Sequence, residues 1–275
     1  GALIEDVHGI GTADFIAKNS VDNGNTTGWK FPLSTGENLY WVGGAGNWND
    51  RLHWSNSSGG AGGYCVPGPR DNTFFNANSG FTSSSKRISI DNLSYTKNIT
   101  ISGSAVPPEL IQTGTQIFNI YGSSEWQLGM LPINIGTINY KNTNTPKTIK
   151  SNGVTTGISS SSTINFEEKT SISLEDNYRV NGFLHLKDGI FNTNNYDFRI
   201  VYRFNASNVG PNSKIILGSS NVYLEDSTPV FNTNSKNLTI DAGTSHIIFE
   251  TMTSSGAGGL NYYTNQVFNN ISFLG

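Results

Sequence analysis

"LGSSNVYLE" at residues 217–225 is echoed by "AGTSHIIFE" at 242–250. Each phrase runs Gly, Ser or Thr, Ser, then an alternating apolar strand closed by Glu225 or Glu250. They lie 25 residues apart, from 217 to 242. A second pair, "FNTNNYDFRI" (191–200) and "FNTNSKNLTI" (231–240), lies 40 residues apart, from 191 to 231. One coil of a β-helix takes roughly 20–30 residues in about three short strands. The shorter spacing therefore reads as one coil and the longer as nearly two. Equivalent strands would then stack in register. Ile200, Leu217, Val222, Ile240 and Ile247 would form inward apolar columns, and Asn at repeated turns would form side-chain ladders. The expected fold is all-β, a right-handed parallel β-helix. A β-sandwich is the alternative, but a sandwich does not require recurring strand–turn–strand phrases.

The rest of the chain agrees with that class. From residue 86 onward, short period-two runs such as "RISI", "QIFNIYG", "STINFEE", "FLHLKDG" and "VFNNISF" are broken by Gly, Asn, Asp and Pro. Helical periodicity is almost absent. Only "GTADFIAKNS" (11–20) is compatible with a short helix. The 275 residues are 35% hydrophobic and 13% charged, with 31 Gly. Disorder combines low hydrophobicity with high net charge and few aromatics. Here the net charge is −3 and aromatics reach 11%, so the composition describes a folded, polar-surfaced β protein.

The same numbers exclude several function classes. Few clustered Lys or Arg and a pI near 5.8 argue against a nucleic-acid surface. No apolar run approaches the roughly 20 residues that cross a bilayer, so no membrane insertion is expected. Cys65 stands alone, which excludes an intramolecular disulfide framework. The start, "GALIEDVHGIG", lacks the basic and apolar regions of a signal peptide.

Residues 40–75, "YWVGGAGNWNDRLHWSNSSGGAGGYCVPGPRDNTFF", place Trp41, Trp48 and Trp54 among Gly-rich loops. This stretch resembles a phrase of very large secreted surface proteins of Bacteroidetes-type bacteria, the gliding-motility adhesin-like proteins. Its Trp41, Gly43, Gly44, Gly46, Trp48, Asp50, Trp54 and Ser55 match that phrase, as do Val66, Pro67, Gly68, Asp71 and Phe75. "VDNGNTTGW" (21–29) resembles the phrase that closes such modules, with Thr26 in place of an Asn. The later "LGSS", "DAGTS" and "FNNISF" resemble their β-helical coils. The resemblance implies a secreted or cell-surface repeat protein, a substrate of the type IX secretion route, and implies no particular enzymatic activity. It implies secretion or anchoring machinery, or a surface glycan, as partner.

Because the closing phrase precedes the opening one, residues 1–35 are expected to finish one module. Residues 36–85 would then be the Trp/Gly-rich cap of the next, and 86–275 its β-helical coils. The uncapped strand in "NQVFNNISFLG" suggests coils that continue beyond residue 275.

Candidate sites follow. Trp41, Trp48 and Trp54 read either as a cap over the first coil or as a stacking platform for sugar rings. Gly lets the backbone pass close to the rings in either case. A β-helical glycosidase or lyase would converge carboxylates, or an acid and a base, on one face. The nearest candidates are Asp176, Asp188, Asp197 and Asp226, with Lys187, Arg199 and Arg203, yet Asp at strand ends is also a turn former. No residue is therefore assigned as catalytic. His8, His53, His185 and His246 are scattered without metal-site spacing, so no metal site is assigned. Cys65 reads as a neutral thiol. "DNGNTTG" (22–28) is oxygen-rich, which makes Ca²⁺ conceivable there, but an ordinary Asn/Gly turn explains it. No other cofactor is implied. Asn25, Asn98 and Asn237 head Asn-x-Ser/Thr triplets of the kind chance supplies, and "DST" (226–228) makes Ser227 a candidate for O-glycosylation. The expected function is a structural or adhesive module of an exported surface protein. The alternative is a β-helix that binds or degrades polysaccharide.

Overall fold

The computed structural model describes residues 3–17, 20–31, 36–141, 145–167, 169–225, 230–250 and 259–274. Among them are thirty short strands and one 3-10 turn, Arg51–His53. From residue 72 onward the chain winds as a parallel β-helix with three faces. Face one is a ten-stranded sheet that includes Asn72–Phe75, Ile99–Ile101, Lys147–Lys150, Gly189–Asn192 and Leu238–Asp241. Face three is an eight-stranded sheet from Ser94–Thr96 to Gly259–Tyr262, one strand per coil, which gives eight coils. Face two consists of a three-stranded sheet (Gly46–Asn47, Arg87–Ile90, Glu109–Gln112) and a five-stranded one (Tyr178–Val180 to Asn270–Phe273). The single bridges Ile111–Asn134, Ile133–Thr156 and Thr156–Val180 join these two sheets.

All pairings between coils are parallel. On face one Ile99 stacks on Thr73, Ser124 on Ile99, and Ile149 on Ser124. Coil length varies from 19 residues (Ile172 to Phe191) to 29 (Phe231 to Leu260). The 25-residue phrases are true equivalents, with Val222 on Ile247 and Leu224 on Phe249. The 40-residue pair is not. Phe191 stacks on Ile215 in face one, whereas Phe231 stacks on Phe204 in face three. Ile200 pairs with Leu224 and Ile240 with Ile215, so those two residues occupy different faces. The "FNTN" repetition reflects the same local demand, a strand ending in an Asn turn, met at two different corners.

The interior follows from period-two alternation. Phe118, Ile138, Ile164, Leu184, Phe204 and Phe231 form one buried column on face three. Phe198, Ile200, Val222, Leu224, Ile247 and Phe249 form two on face two. Ile240 is only half-buried. Buried hydroxyls satisfy one another between coils, as in Thr73–Thr96 (3.0 Å) and Ser220–Thr193 (2.7 Å). Outside, in mid-strand rather than at a turn, an amide ladder climbs face three. Asn139 Nδ2 donates to Asn119 Oδ1 (3.1 Å), and Asn165 Nδ2 to Asn139 Oδ1 (2.8 Å). A second ladder, Asn98 to Asn72 to Asn38, lies at a coil corner of face one, as the sequence suggested.

Residues 3–31 form two separate parallel pairs, Leu3–Glu5 with Val21–Gly24 and Phe15–Ile16 with Trp29–Lys30. The one stretch compatible with a short helix thus contributes a strand instead, anchored by Phe15 packing on Trp29 (5.5 Å between centroids). The described structure of 36–85 contains both a cap and the opening strand of the first coil, Asn72–Phe75.

Candidate functional site

The Trp-rich stretch closes one end of the rod. Asn38–Trp41 continues face one in parallel, and Trp54–Ser55 then pairs with it antiparallel, ending the ladder. Trp41, Trp48 and Trp54 are each 0% exposed. Trp54 meets Trp41 edge-on at 5.1 Å and Trp48 at 5.0 Å, above Phe75 and Phe118 of the first two coils. Trp41 Nε1 donates to Gly44 O (2.6 Å) and Trp54 Nε1 to Trp48 O (2.7 Å). The three rings present no face to solvent on which a sugar could stack. His53 lies flat on Trp41 at 4.7 Å. A Cβ on Gly46 would stand 2.0 Å from the His53 ring, and one on Gly62 would stand 1.8 Å from Leu52 O. The large residues sit beside the small ones because only bare backbone fits over the rings and the turn.

The other residues of the motif are likewise structural. Asp50 accepts from Leu52 N and starts the 3-10 turn. Asp71, fully buried, accepts from Glu37 N (2.9 Å) and Gly68 N (2.8 Å), tying the Val66–Pro67–Gly68 turn to the entering strand.

Among the carboxylates singled out in the sequence, Asp176 accepts from Ser151 N and Asn152 N, and Asp197 from Asn221 N. Both hold turns of a neighbouring coil. Asp226 lies outside the described residues. Arg199 is engaged by Glu225 (2.9 Å) and Glu250 (3.4 Å) and lies 3.6 Å over the Tyr223 ring. Arg203 sits over Phe183, and Lys187 pairs with Glu167 at 3.0 Å.

Asp188 differs from the rest. It sits where face three turns into face one and is 8% exposed. Its Oδ1 lies 3.0 Å from Ser213 Oγ, and its Oδ2 has no hydrogen-bond partner among the described residues. The carboxylate rests on Gly210, where a Cβ would approach its Cγ to 2.4 Å. Two depressions meet at Asp188 and Pro211. One, of about 610 Å3, is lined by His185, Lys187, Asn205 and Asn208, and the other, of about 420 Å3, by Lys169, Ser171 and Asn212. Together they make a trough of mixed polar and apolar lining around one corner of the rod, with Ile190 and Pro211 among the apolar residues. Partial burial, then the charges of Lys187 and Arg203, lower the His185 pKa, so its ring is neutral at neutral pH.

No family model, curated protein or solved structure matches the chain. The site therefore stands on its own geometry.

The sequence pointed to Asp188 and Lys187, set His185 aside as one of four scattered histidines, and missed Asn205, Asn208 and Asn212. Their only signal was the turn "NVGPN" (208–212), which reads as punctuation until the fold places it against Asp188. The remaining candidates are dispersed. His8 bonds Thr27 Oγ1 and His246 bonds Ser272 Oγ. Cys65 is exposed beside the cap, and partial desolvation raises its thiol pKa, with the nearby Asp71 and Glu37 carboxylates adding to the effect. In the 22–28 turn, Asp22 accepts from Gly24 N, and Asn25 donates to Asp6 across the turn. No group of three or more His, Cys, Asp or Glu able to hold a metal occurs among the described residues. Ser227 lies outside them.

Proposed function

We propose that this chain is a non-enzymatic structural and adhesive module of a large exported bacterial surface protein. The observation that carries the reading is the parallel stacking of coils on three faces, closed at one end by a fully buried Trp cap. Each coil adds about 5 Å of length for some 25 residues, because neighbouring strands lie 4.7–4.9 Å apart. The result is a stiff, protease-resistant spacer. Asp176, Asp197, Glu225 and Glu250 are engaged in turn bonds or ion pairs, which fits a scaffold. The resemblance of the 41–75 phrase to gliding-motility adhesin-like proteins supports an exported, type IX-dependent origin.

Immunolabelling of intact cells of the parent organism tests export. Label on intact, unpermeabilised cells is expected, and label confined to permeabilised cells would refute it. A second reading, polysaccharide cleavage, is favoured by one observation: Asp188 and a neutral His185 line the same depression. Incubation with a polysaccharide panel, read by reducing ends and unsaturated products, separates the two. Turnover that disappears in Asp188→Asn would overturn the non-enzymatic reading.

A further inference from the structure

We propose that the trough centred on Asp188 binds a neutral oligosaccharide through its hydroxyl groups. The inference rests on the adhesive reading for the class of partner and deepens it by naming the site.

The first argument is the carboxylate. A carboxylate this deeply buried ordinarily has its acceptor oxygens satisfied. Asp188 has one oxygen engaged by Ser213 and one without a partner, at the junction of two depressions. That second oxygen is open to the trough, where a sugar hydroxyl can donate to it in place of water. Gly210 keeps the arrangement open, since any side chain there would collide with the carboxylate. The second argument is the set of groups around it. Asn205 Oδ1 is held by Ser207, which orients the amide and leaves its Nδ2 without a partner among the described residues. Asn208 and Asn212 line the two sides with amides that have no partner among the described residues. Amides both donate and accept, as each hydroxyl of a sugar does. The third is charge. Lys187 is compensated by Glu167, His185 is neutral, and the exposed Lys169 of the second depression offsets Asp188, so the trough carries little net charge and suits an uncharged glycan. The fourth is shape. Two joined depressions of about 610 and 420 Å3 suit an extended chain better than one compact metabolite. Recognition is by hydrogen bonds, because no Phe, Tyr or Trp lines either depression.

The test uses the whole 275-residue chain. Neutral gluco-, manno-, galacto-, xylo- and chito-oligosaccharides are titrated calorimetrically, beside a uronate oligomer and CaCl2 alone, and each mixture is assayed for cleavage. Saturable binding of at least one neutral oligomer is expected. Asp188→Asn should weaken it about tenfold or more, and Asn208→Ala less, in line with loss of a charged against a neutral hydrogen bond. Gly210→Ala should also weaken it, and Arg87→Ala, on a distant coil, should not. Circular dichroism melts certify folding; if Asp188→Asn fails to fold, the exposed Asn208→Ala decides. No binding by any neutral oligomer overturns the proposal while leaving the rod reading intact. So does binding that folded Asp188→Asn and Asn208→Ala variants both retain, exclusive binding of the uronate, or Ca²⁺ binding alone that is lost in Asp188→Asn. Binding accompanied by cleavage upholds the site but overturns the non-enzymatic function.

Discussion

At the scale of single residues, two positions test the packing argument. Gly46 is bare because the His53 ring lies where its side chain would be. Gly46→Ala is expected to cost about 1–3 kcal/mol through forced displacement of His53 from Trp41. The cost should largely vanish in a His53→Ala background, which a double-mutant cycle by thermal melting would measure. Lys147 is the converse case. It is buried on face one at the level of Ile172, and among the described residues its ammonium finds only Thr145 O, at 3.4 Å. Burial lowers its pKa. The folded state thus binds the proton less tightly than the unfolded chain does. That costs stability below the folded pKa, and the cost fades as pH rises toward the unfolded value near 10.4. Lys147→Met should stabilise the protein at pH 7 by about 1 kcal/mol or more, with the gain shrinking as pH approaches about 10. Urea melts of both proteins across that range check the sign. A gain that grows with pH would contradict it.

At the scale of elements, the amide ladder on face three is the feature to break. Asn139 links Asn119 and Asn165 from the middle of its strand, and all three are buried although they point away from the apolar columns. Asn139→Ala strands an acceptor below and a donor above, at an expected cost of about 2–3 kcal/mol. Asn232→Ala, half-buried in the same register two coils beyond His185, should cost less, and comparative melting distinguishes the two. The sequence disclosed these elements unevenly. Strands with strict alternation, such as Phe183–Leu186 and Asn221–Leu224, were legible because one face is buried and the other wet. Lys147–Lys150 and Tyr178–Val180 passed unnoticed, since an inward Lys and a short run flanked by Asn break the expected pattern. The 11–20 stretch, compatible with a short helix in the sequence, is extended because Phe15 gains more by packing on Trp29 than a short isolated helix offers. The trough could not be read at all. Its residues come from different strands and a Gly-Pro turn, and only the coil spacing brings them together.

At the scale of the molecule, each coil touches only its neighbours, so stability accumulates coil by coil and fails first where an end is weakened. Trp54→Ala removes the ring that bridges Trp41, Trp48 and Phe75, and should cost about 3–5 kcal/mol. Hydrogen exchange should then speed up in Asn38–Trp41 and Asn72–Phe75 well before Thr163–Phe166 responds. Uniform acceleration along the rod would mean that the coils melt as one block. The class of fold was legible at this scale from one 25-residue echo, because a rod built by repetition writes its period into the chain. The uneven coil lengths hid how many copies there are.

The reversed strand Trp54–Ser55 has a further consequence for traffic between neighbouring copies. Two such rods meeting nose to tail would offer mismatched hydrogen-bonding directions on face one. A plug only two residues wide thereby guards the rod against zippering into filaments.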